Sequence, residues 1–275
     1  MPPSSNEALE RPARLNVPIF QIDAFTSRVF AGNPAAVCPL ERWLAADVLQ
    51  SIAAENNLAE TAFIVARPDA DYDIRWFTPS VEVQLCGHAT LASAHVVFEE
   101  LQPARSSVVF HSPSGPLPVS KNGHILTLDF PKRSYDAVAP PEILTRALGQ
   151  PASEAYFSVE NYMLVYGHAD HVRRLSPQFS LLRSVEALGF IVTAPGEQSD
   201  FVSRFFAPAA GIDEDPVTGS AHCTLAPYWA QRLGKKHLHA LQVSKRGGEL
   251  FCDVRPSRVL IGGSVARYLA GTISI

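Results

Sequence analysis

The chain has 275 residues, of which 47% are hydrophobic and 18% are charged, so it contains ample apolar material for a folded core. Its net charge of -4 and its scattered lysine and arginine residues offer no basic surface for nucleic acid. No apolar run approaches the roughly 20 residues of a membrane span. These properties exclude nucleic-acid and membrane proteins and predict a soluble, cytoplasmic one.

The start of the chain and the cysteines give no sign of secretion. The first fifteen residues are polar and rich in proline, which predicts a solvated tail rather than a signal peptide. The four cysteines, Cys38, Cys86, Cys223 and Cys252, are dispersed and form no CxxC pair. We therefore expect reduced thiols.

The first half of the chain mixes strand and helix patterns. Alternating apolar and polar residues predict strands, whereas apolar residues three or four positions apart predict helices. The predicted strands cover residues 17–23, 35–40, 61–66, 72–77, 106–110, 117–120 and 125–130, and the predicted helices cover residues 41–56 and 88–101. Small residues in the second helix would permit close packing, so we expect it to be largely buried.

The stretch PKRSYDAVAPP is the first one rich in chain-breaking residues, and we place a domain boundary there. Beyond it the pattern predicts helices over residues 141–148 and 219–233, strands over 163–167, 189–194 and 203–208, and further closing strands. Pro227 should kink the last helix. The predicted division is a flexible tail (1–15), an N-terminal lobe (16–132) completed by a strand near 265–275, and a C-terminal lobe (133–264).

The two halves contain a similar sequence pattern. RWFTP (75–79) leads to LCGHATLA, and RFFAP (204–208) leads to TGSAHCTLA. The spacing differs by a few residues, so a chance match is the alternative to internal duplication. Duplication would place a strand, a glycine turn and a buried helix N-terminus in each half, with both termini in the cleft between them. Two helix N-termini would suit an anionic substrate.

The residues at these two turns are candidates for substrate binding. The N–H groups of a first helical turn have no partners within the helix, so those of Gly87, His88, Gly219 and Ser220 could hold a carboxylate. The alternative is structural, with each glycine making a tight turn and Ser220 capping a helix. The repetition of the arrangement favours binding, because packing alone does not require two matched turns.

Three further side chains are candidates for proton transfer. Glu60 lies among apolar residues at the entry to a strand, where poor hydration would raise its pKa toward neutrality. Asp215 precedes the second glycine turn and could lie opposite His88, so the two could share a proton. Each has an ordinary alternative: Glu60 as a solvated edge residue or ion-pair partner, Asp215 as a turn residue before proline, and His88 as a packed or capping histidine.

Other motifs for cofactors and metals are absent from the sequence. The chain has no GxGxxG opening a helix, no GxxxxGK phosphate loop and no GxSxG nucleophile turn. The remaining histidine pairs, His168 with His171 and His237 with His239, lack suitable companion ligands. We expect neither a cofactor nor a metal.

Several segments together carry a family resemblance. They are QIDAFTSRVFAGNPAAV, NNLAETAFI, RWFTPSVEVQLCGHATLASA and SRFFAPAAGIDEDPVTGSAH, with RGGEL after them. On these residues the chain resembles the PhzF-like family, named for an isomerase of phenazine biosynthesis, from about Val17 to Ile275. The resemblance implies the α+β diaminopimelate epimerase fold, in which two pseudo-symmetric lobes each wrap a mixed β-sheet around a central α-helix, with the active site between them.

The resemblance also implies roles for the candidate residues. Glu60 matches the acid/base glutamate of the family, His88 and Asp215 match its other polar site residues, and the Gly87, Gly219 and Ser220 turns contact substrate. The phenazine enzyme shifts a proton between ring carbons of a dihydro-hydroxyanthranilate without a cofactor. By resemblance we expect a cofactor-independent isomerase, forming a homodimer, that acts on a small anionic molecule.

Two other functions remain open. Related epimerases and racemases use two cysteines, one before each glycine turn, and Cys86 fits the first position, where a helix N-terminus would lower its thiol pKa. Thr218 occupies the second position and Cys223 lies past the turn, so that mechanism lacks a partner. The other alternative is a ligand-binding or protein-interaction module that performs no chemistry.

Overall fold

The computed structural model describes residues 14–275, so the predicted tail lies outside the described residues except at its last two positions. Its strands are β1 (Asn16–Ala24), β2 (Asn33–Leu40), β3 (Glu60–Ala66), β4 (Tyr72–Phe77), β5 (Glu82–Val83), β6 (Ser107–Ser112), β7 (Gly115–Asn122), β8 (Ile125–Pro131), β9 (Asp136–Ala137), β10 (Glu154–Ser158), β11 (Asn161–Val165), β12 (Gly189–Pro195), β13 (Phe201–Ala207), β14 (Ile212–Asp215), β15 (His237–Gln242), β16 (Gly248–Val254), β17 (Arg258–Gly263) and β18 (Val265–Ser274).

The helices are α1 (Ala46–Asn56), α2 (Gly87–Val96), α3 (Glu142–Leu148), α4 (Ala169–Arg174), α5 (Phe179–Leu182) and α6 (His222–Leu233). A π-helical turn over Val97–Leu101 extends α2, and 3-10 turns cover Pro208–Ala210 and Gly219–Ala221. The chain is thus an α+β protein.

The strand pairings repeat in two successive lobes. In the first lobe β2 runs parallel to β3, β3 antiparallel to β4, and β4 parallel to β6, which continues into the antiparallel β7 and β8. In the second lobe β11, β12, β13, β15, β16 and β17 follow the same sequence of directions. Two parallel strands need a crossover connection. The connection from β4 to β6 contains α2, and the corresponding connection from β13 to β15 contains α6.

Matching ion pairs also support the duplication. Arg75 on β4 makes two contacts of 2.7 Å with the carboxylate of Glu82, and Arg204 on β13 contacts both oxygens of Glu214 at 2.7 and 2.9 Å. Each guanidinium also lies over the phenylalanine ring two residues further along its strand, at 5.1 and 4.9 Å. The same interaction therefore fixes the segment before each glycine turn.

The two central helices are buried because their residues are small or apolar. Every residue of α2 except His95 is buried, as its composition predicts. Its hydroxyl groups are satisfied within the helix, since Thr90 donates to the Cys86 carbonyl at 2.6 Å and Ser93 to the Ala89 carbonyl at 2.7 Å. The first eight residues of α6 are buried as well.

Pro227 connects α6 to the segment between the lobes. It lies inside α6 and has no N–H group, so it cannot donate to the Cys223 carbonyl four residues earlier. That carbonyl accepts instead the backbone N–H of Arg133 at 3.1 Å. The predicted breaker-rich segment is thereby attached to the helix at the point where proline removes a hydrogen bond.

Two pairings join the lobes to each other and to the end of the chain. β8 pairs antiparallel with β17 of the second lobe, and β18 returns to pair antiparallel with β1. The return of β18 is the contact expected for a strand near 265–275. The boundary between residues 132 and 133 stays a prediction.

The sequence predicts the principal elements but misses several short ones. The predicted helix over 88–101 begins one residue earlier and changes to π-helical geometry at Val97. The prediction omits β10, which forms a two-residue hairpin with β11, and it also omits the short elements α4, α5, β9 and β14. All four cysteines are buried and unbonded to one another, as expected for reduced thiols. Within residues 14–275, no helix has both the length and the hydropathy of a membrane span.

Gly32 is predicted to be sensitive to substitution, because its φ is +64° and an added Cβ would lie 2.2 Å from the Ala24 carbonyl oxygen. Gly123 has a similar φ of +60° but open space around it, so it is a matched control. We expect Gly32→Ala to lower the free energy of unfolding by about 2 kcal/mol more than Gly123→Ala. Urea unfolding measures both, and equal losses would contradict the steric explanation.

Candidate functional site

The two glycine turns meet at the centre of the molecule. α2 begins at Gly87, and the 3-10 turn that leads into α6 begins at Gly219. A Cβ added to Gly87 would lie 3.8 Å from the Cα of Gly219, and one added to Gly219 would lie 3.9 Å from the Cα of Gly87. The structure therefore brings together the two helix N-termini that the repeated sequence predicts. Ser220, beside Gly219, is half-buried.

Glu60 faces the first of these termini. It is the first residue of β3, which pairs with β2 at Ala35, and its side chain is 13% exposed. Its Oε2 lies 3.0 Å from Nε2 of His88, whose side chain is 6% exposed. Glu60 is thus largely shielded from water, and the side chain beside it is the histidine that follows Gly87.

His88 is surrounded by groups that favour its charged form. Burial alone would lower the pKa of the imidazole, but the neighbouring Cys86 and Glu60 outweigh burial and hold it well above its usual value. On the opposite side of the ring, Nδ1 lies 3.1 Å from Nδ2 of Asn33 and 3.5 Å from Sγ of Cys86. Nε2 of His88 therefore faces the Glu60 carboxylate at ion-pair distance, while Nδ1 faces Asn33 and Cys86.

Asn33 connects the two lobes, and sequence reasoning missed it. Its side-chain nitrogen donates to Oδ1 of Asp215 at 2.7 Å and to the Val217 carbonyl at 2.9 Å, and it also contacts His88. Its Oδ1 is buried and has no partner among the described residues. The sequence GNP predicts a turn, which hides the role of the asparagine, whereas the structure makes Asn33 the first residue of β2.

Asp215 lies near His88 but does not bond to it directly among the described contacts. The Asn33 amide nitrogen lies between the two side chains and contacts both, so the sharing of a proton between His88 and Asp215 or with substrate stays a prediction. Oδ2 of Asp215 accepts a hydrogen bond from the Thr218 hydroxyl at 2.5 Å. Burial raises the pKa of the Asp215 carboxyl to about 6, although His88 and Thr218 oppose the rise.

Cys86 is not an activated thiol. The expectation that a helix N-terminus lowers its pKa is wrong, because burial, followed by the nearby Glu60 charge, raises the pKa to about 11. His88 and the α2 terminus oppose this rise without reversing it. The thiol is therefore protonated near neutral pH.

Three potential metal-ligand side chains, Glu60, Cys86 and His88, nevertheless lie close enough together to share an ion. Their charge states oppose this use, since a cation would require the loss of a proton from the thiol and from the imidazolium. The fit to a metal is thus poor on the chemistry of the donor set. The expectation of no metal stays a prediction.

The repeat places different residues at equivalent positions in the second lobe. Arg204 on β13 and Arg75 on β4 occupy matching positions in the repeat. When the pair β12–β13 is aligned with the pair β3–β4 on these arginines, Gly189 falls at the position of Glu60. A Cβ on Gly189 would lie only 2.4 Å from the Phe205 ring. The second lobe therefore has neither a carboxylate nor room for one at the position corresponding to Glu60.

Comparison with known proteins gives a consistent result. The family model described as "Phenazine biosynthesis-like protein" matches residues 22–271. An uncharacterized isomerase of Pseudomonas aeruginosa is 49% identical over 261 residues, spanning 95% of this chain and 100% of that relative. The crystal structure of a PhzF-family phenazine biosynthesis protein from Enterococcus faecalis is 45% identical and superposes with a TM-score of 0.92, over 95% of this chain and 100% of that one.

The fold extends to more distant proteins. A hydroxyproline epimerase from Agrobacterium vitis, 11% identical, superposes with a TM-score of 0.61 over 94% of this chain and 93% of that one. The similarities confirm the predicted family resemblance and the predicted epimerase-like α+β fold.

Because of His222, at the start of α6, we expect the folded protein to lose stability in acid. Its Nδ1 donates to the Thr218 carbonyl at 2.9 Å, and burial lowers its pKa from 6.5 to about 4. The unfolded chain binds this proton at higher pH than the folded one, so stability present above pH 6.5 is lost as the pH falls toward 4. The full contribution is about 3 kcal/mol.

We therefore expect His222→Gln to weaken the pH dependence of the unfolding free energy between pH 7 and 4.5, as measured by urea unfolding. His237→Gln is the control, because that side chain is 86% exposed. A pH dependence that is the same in His222→Gln as in the control would assign the acid loss to other groups.

Proposed function

The chain is an isomerase of the phenazine biosynthesis-like family, and we propose that it moves a proton within a small carboxylate-bearing molecule by general acid–base catalysis at Glu60. The observation that carries the proposal is the 3.0 Å contact of Glu60 with His88, beside two opposed helix N-termini. In this mechanism Glu60 takes a proton from one substrate carbon and returns it to another, so that one C–H bond breaks and one forms.

The helix termini supply the binding energy for the anion. The first-turn N–H groups at Gly87 and Gly219 have no partners within their helices, and both helix dipoles place partial positive charge in the same cleft. A substrate carboxylate held there would also be stabilised as negative charge spreads onto it after proton removal. Glycine at both positions leaves the backbone accessible at close range.

His88 and Asp215 have different supporting roles in this proposal. Nε2 of His88 lies 3.0 Å from the Glu60 carboxylate, so a charged His88 stabilises the ionised form of Glu60 beside the first helix terminus. Asp215 has a pKa of about 6, so its charge changes near neutral pH in response to its surroundings. Asn33 contacts both and so links His88 of the first lobe to Asp215 of the second.

The asymmetry of the repeat favours a single base. A two-base racemase needs a proton-transfer group on each face of the substrate, whereas the counterpart of Glu60 is Gly189. The two-thiol alternative is disfavoured as well, because Cys86 has a pKa of about 11 and its counterpart is Thr218. One carboxylate that serves both transfers is consistent with this arrangement.

Glu60→Gln tests the central assignment. Glutamine keeps the shape of the side chain but cannot take up a proton, so we expect the rate of proton exchange to fall by about 10²-fold or more. The measurement is deuterium incorporation from D₂O into a panel of small carboxylates, including dihydro-hydroxyanthranilate, followed by mass spectrometry. Ligand affinity, measured by calorimetry, should change by less than about tenfold, because the helix termini remain.

Glu55→Gln is the control for this experiment, since Glu55 is exposed on α1. Exchange at the wild-type rate in Glu60→Gln would refute the role of Glu60. Tight binding of a carboxylate by the wild-type protein, with no exchange on any member of the panel, would favour the ligand-binding module.

Cys86→Ala separates the proposal from the two-thiol alternative. We expect the variant to keep exchange within about tenfold of wild type, because a protonated thiol is not a base at neutral pH. The same deuterium assay and a thiol-alkylating reagent provide the measurement. Loss of exchange as severe as in Glu60→Gln, together with inactivation of the wild-type protein by the reagent, would support the epimerase mechanism instead.

A further inference from the structure

A partly buried ion pair joins the lobes close to the candidate site. Asp23, at the end of β1, has a side chain that is only 3% exposed. Its Oδ1 accepts a hydrogen bond from Nη2 of Arg246 at 2.8 Å, and its Oδ2 accepts the backbone N–H of Phe30 at 2.9 Å. Arg246 belongs to the loop between β15 and β16 of the second lobe.

The guanidinium of Arg246 also holds the backbone of the opposite loop. Its Nε donates to the Gly32 carbonyl at 2.8 Å, and its Nη2 donates to the Ala31 carbonyl at 2.9 Å. The Gly32 N–H in turn donates to the Gly247 carbonyl at 2.8 Å. The loop over residues 25–32 is thus fastened to the loop over residues 243–247 by side-chain and backbone hydrogen bonds.

The loop over residues 25–32 requires such support. Phe25 and Phe30 both have positive φ, at 61° and 69°, which is an unfavourable conformation for a bulky residue. The Phe30 side chain is 72% exposed and gains little from packing apart from an edge contact with Tyr268. The contacts with Asp23 and Arg246 oppose relaxation of this strained backbone.

Both fastened loops lead directly into the site. Asn33, which contacts His88 and Asp215, follows Gly32. On the other side, Gln242 ends β15 four residues before Arg246; its Oε1 accepts the Thr218 N–H, and its Nε2 donates to the Asp215 carbonyl, both at 2.9 Å. A shift of either loop would therefore move the groups that align the candidate site.

We propose that Asp23 and Arg246 form an interlobe clamp that positions Asn33 between His88 and Asp215. They are positioning residues, since both act on the site through backbone and side-chain neighbours. The inference concerns the same site as the proposed function and would refine it, but the contacts that carry it do not depend on turnover.

The test compares Arg246→Ala with Arg258→Ala. Arg258 on β17 is a matched control, because it also joins the lobes, donating at 2.8 Å to the Asp129 side chain and to the Asp129 carbonyl on β8. We expect hydrogen exchange of the Asn33 side-chain amide, followed by NMR, to accelerate about tenfold or more in Arg246→Ala. The His88 ring nitrogen signals should also shift. Arg258→Ala should leave both observables at their wild-type values.

Two further variants keep the test decisive if Arg246→Ala does not fold. Arg246→Lys retains a positive charge for Asp23 but cannot keep all the hydrogen bonds of the guanidinium, so we expect an intermediate effect on Asn33. Asp23→Asn should resemble Arg246→Ala. Wild-type exchange of the Asn33 amide in the folded Arg246 and Asp23 variants would overturn the clamp. Because no substrate is needed, failure of the clamp is distinguishable from loss of Glu60-dependent exchange.

Discussion

The side-chain amide nitrogen of Asn33 lies within hydrogen-bond distance of groups from both lobes: His88, Asp215 and the Val217 carbonyl. An amide nitrogen has only two hydrogens, so its contacts depend on the protonation of its neighbours. When His88 is charged, its own Nδ1–H needs an acceptor, and Cys86 Sγ at 3.5 Å is available. The position of one amide thus connects the charge of His88 with the environment of Asp215.

The charges around this amide follow from burial. Asp215 is half-buried, and desolvation raises its pKa to about 6 even though three neighbouring groups oppose the rise. His88 is buried, yet its pKa moves upward because its interactions with Cys86 and Glu60 outweigh desolvation. Asp215 and His88 therefore each hold a proton to a higher pH than a solvent-exposed group of the same type. Both lie beside the two helix termini, where we propose that an anion binds.

The sequence predicts the fold well because its signals are local or repeated. Strand and helix periodicity identify the long elements, and the two glycine turns predict that α2 and the start of α6 meet. The contacts that the sequence does not predict are those between residues far apart along the chain. The pairing of Asp23 with Arg246 joins residues 223 positions apart, and no local pattern indicates it. Asn33 is similar, because a turn sequence accounts for it equally well until the second lobe is in place.

The same limit applies to charge. The position of Cys86 at a helix N-terminus predicts a lowered pKa, but the surrounding core determines the outcome, and burial raises it instead. A sequence motif specifies how far apart its residues lie along the chain, but it does not specify how well their side chains are hydrated in the folded protein. In a duplicated fold this matters most where the two copies have diverged: Glu60 corresponds to Gly189, and Cys86 to Thr218. The duplication preserves the two glycine turns, while divergence leaves Glu60, Cys86 and His88 in the first lobe and only Asp215 of these titratable groups in the second.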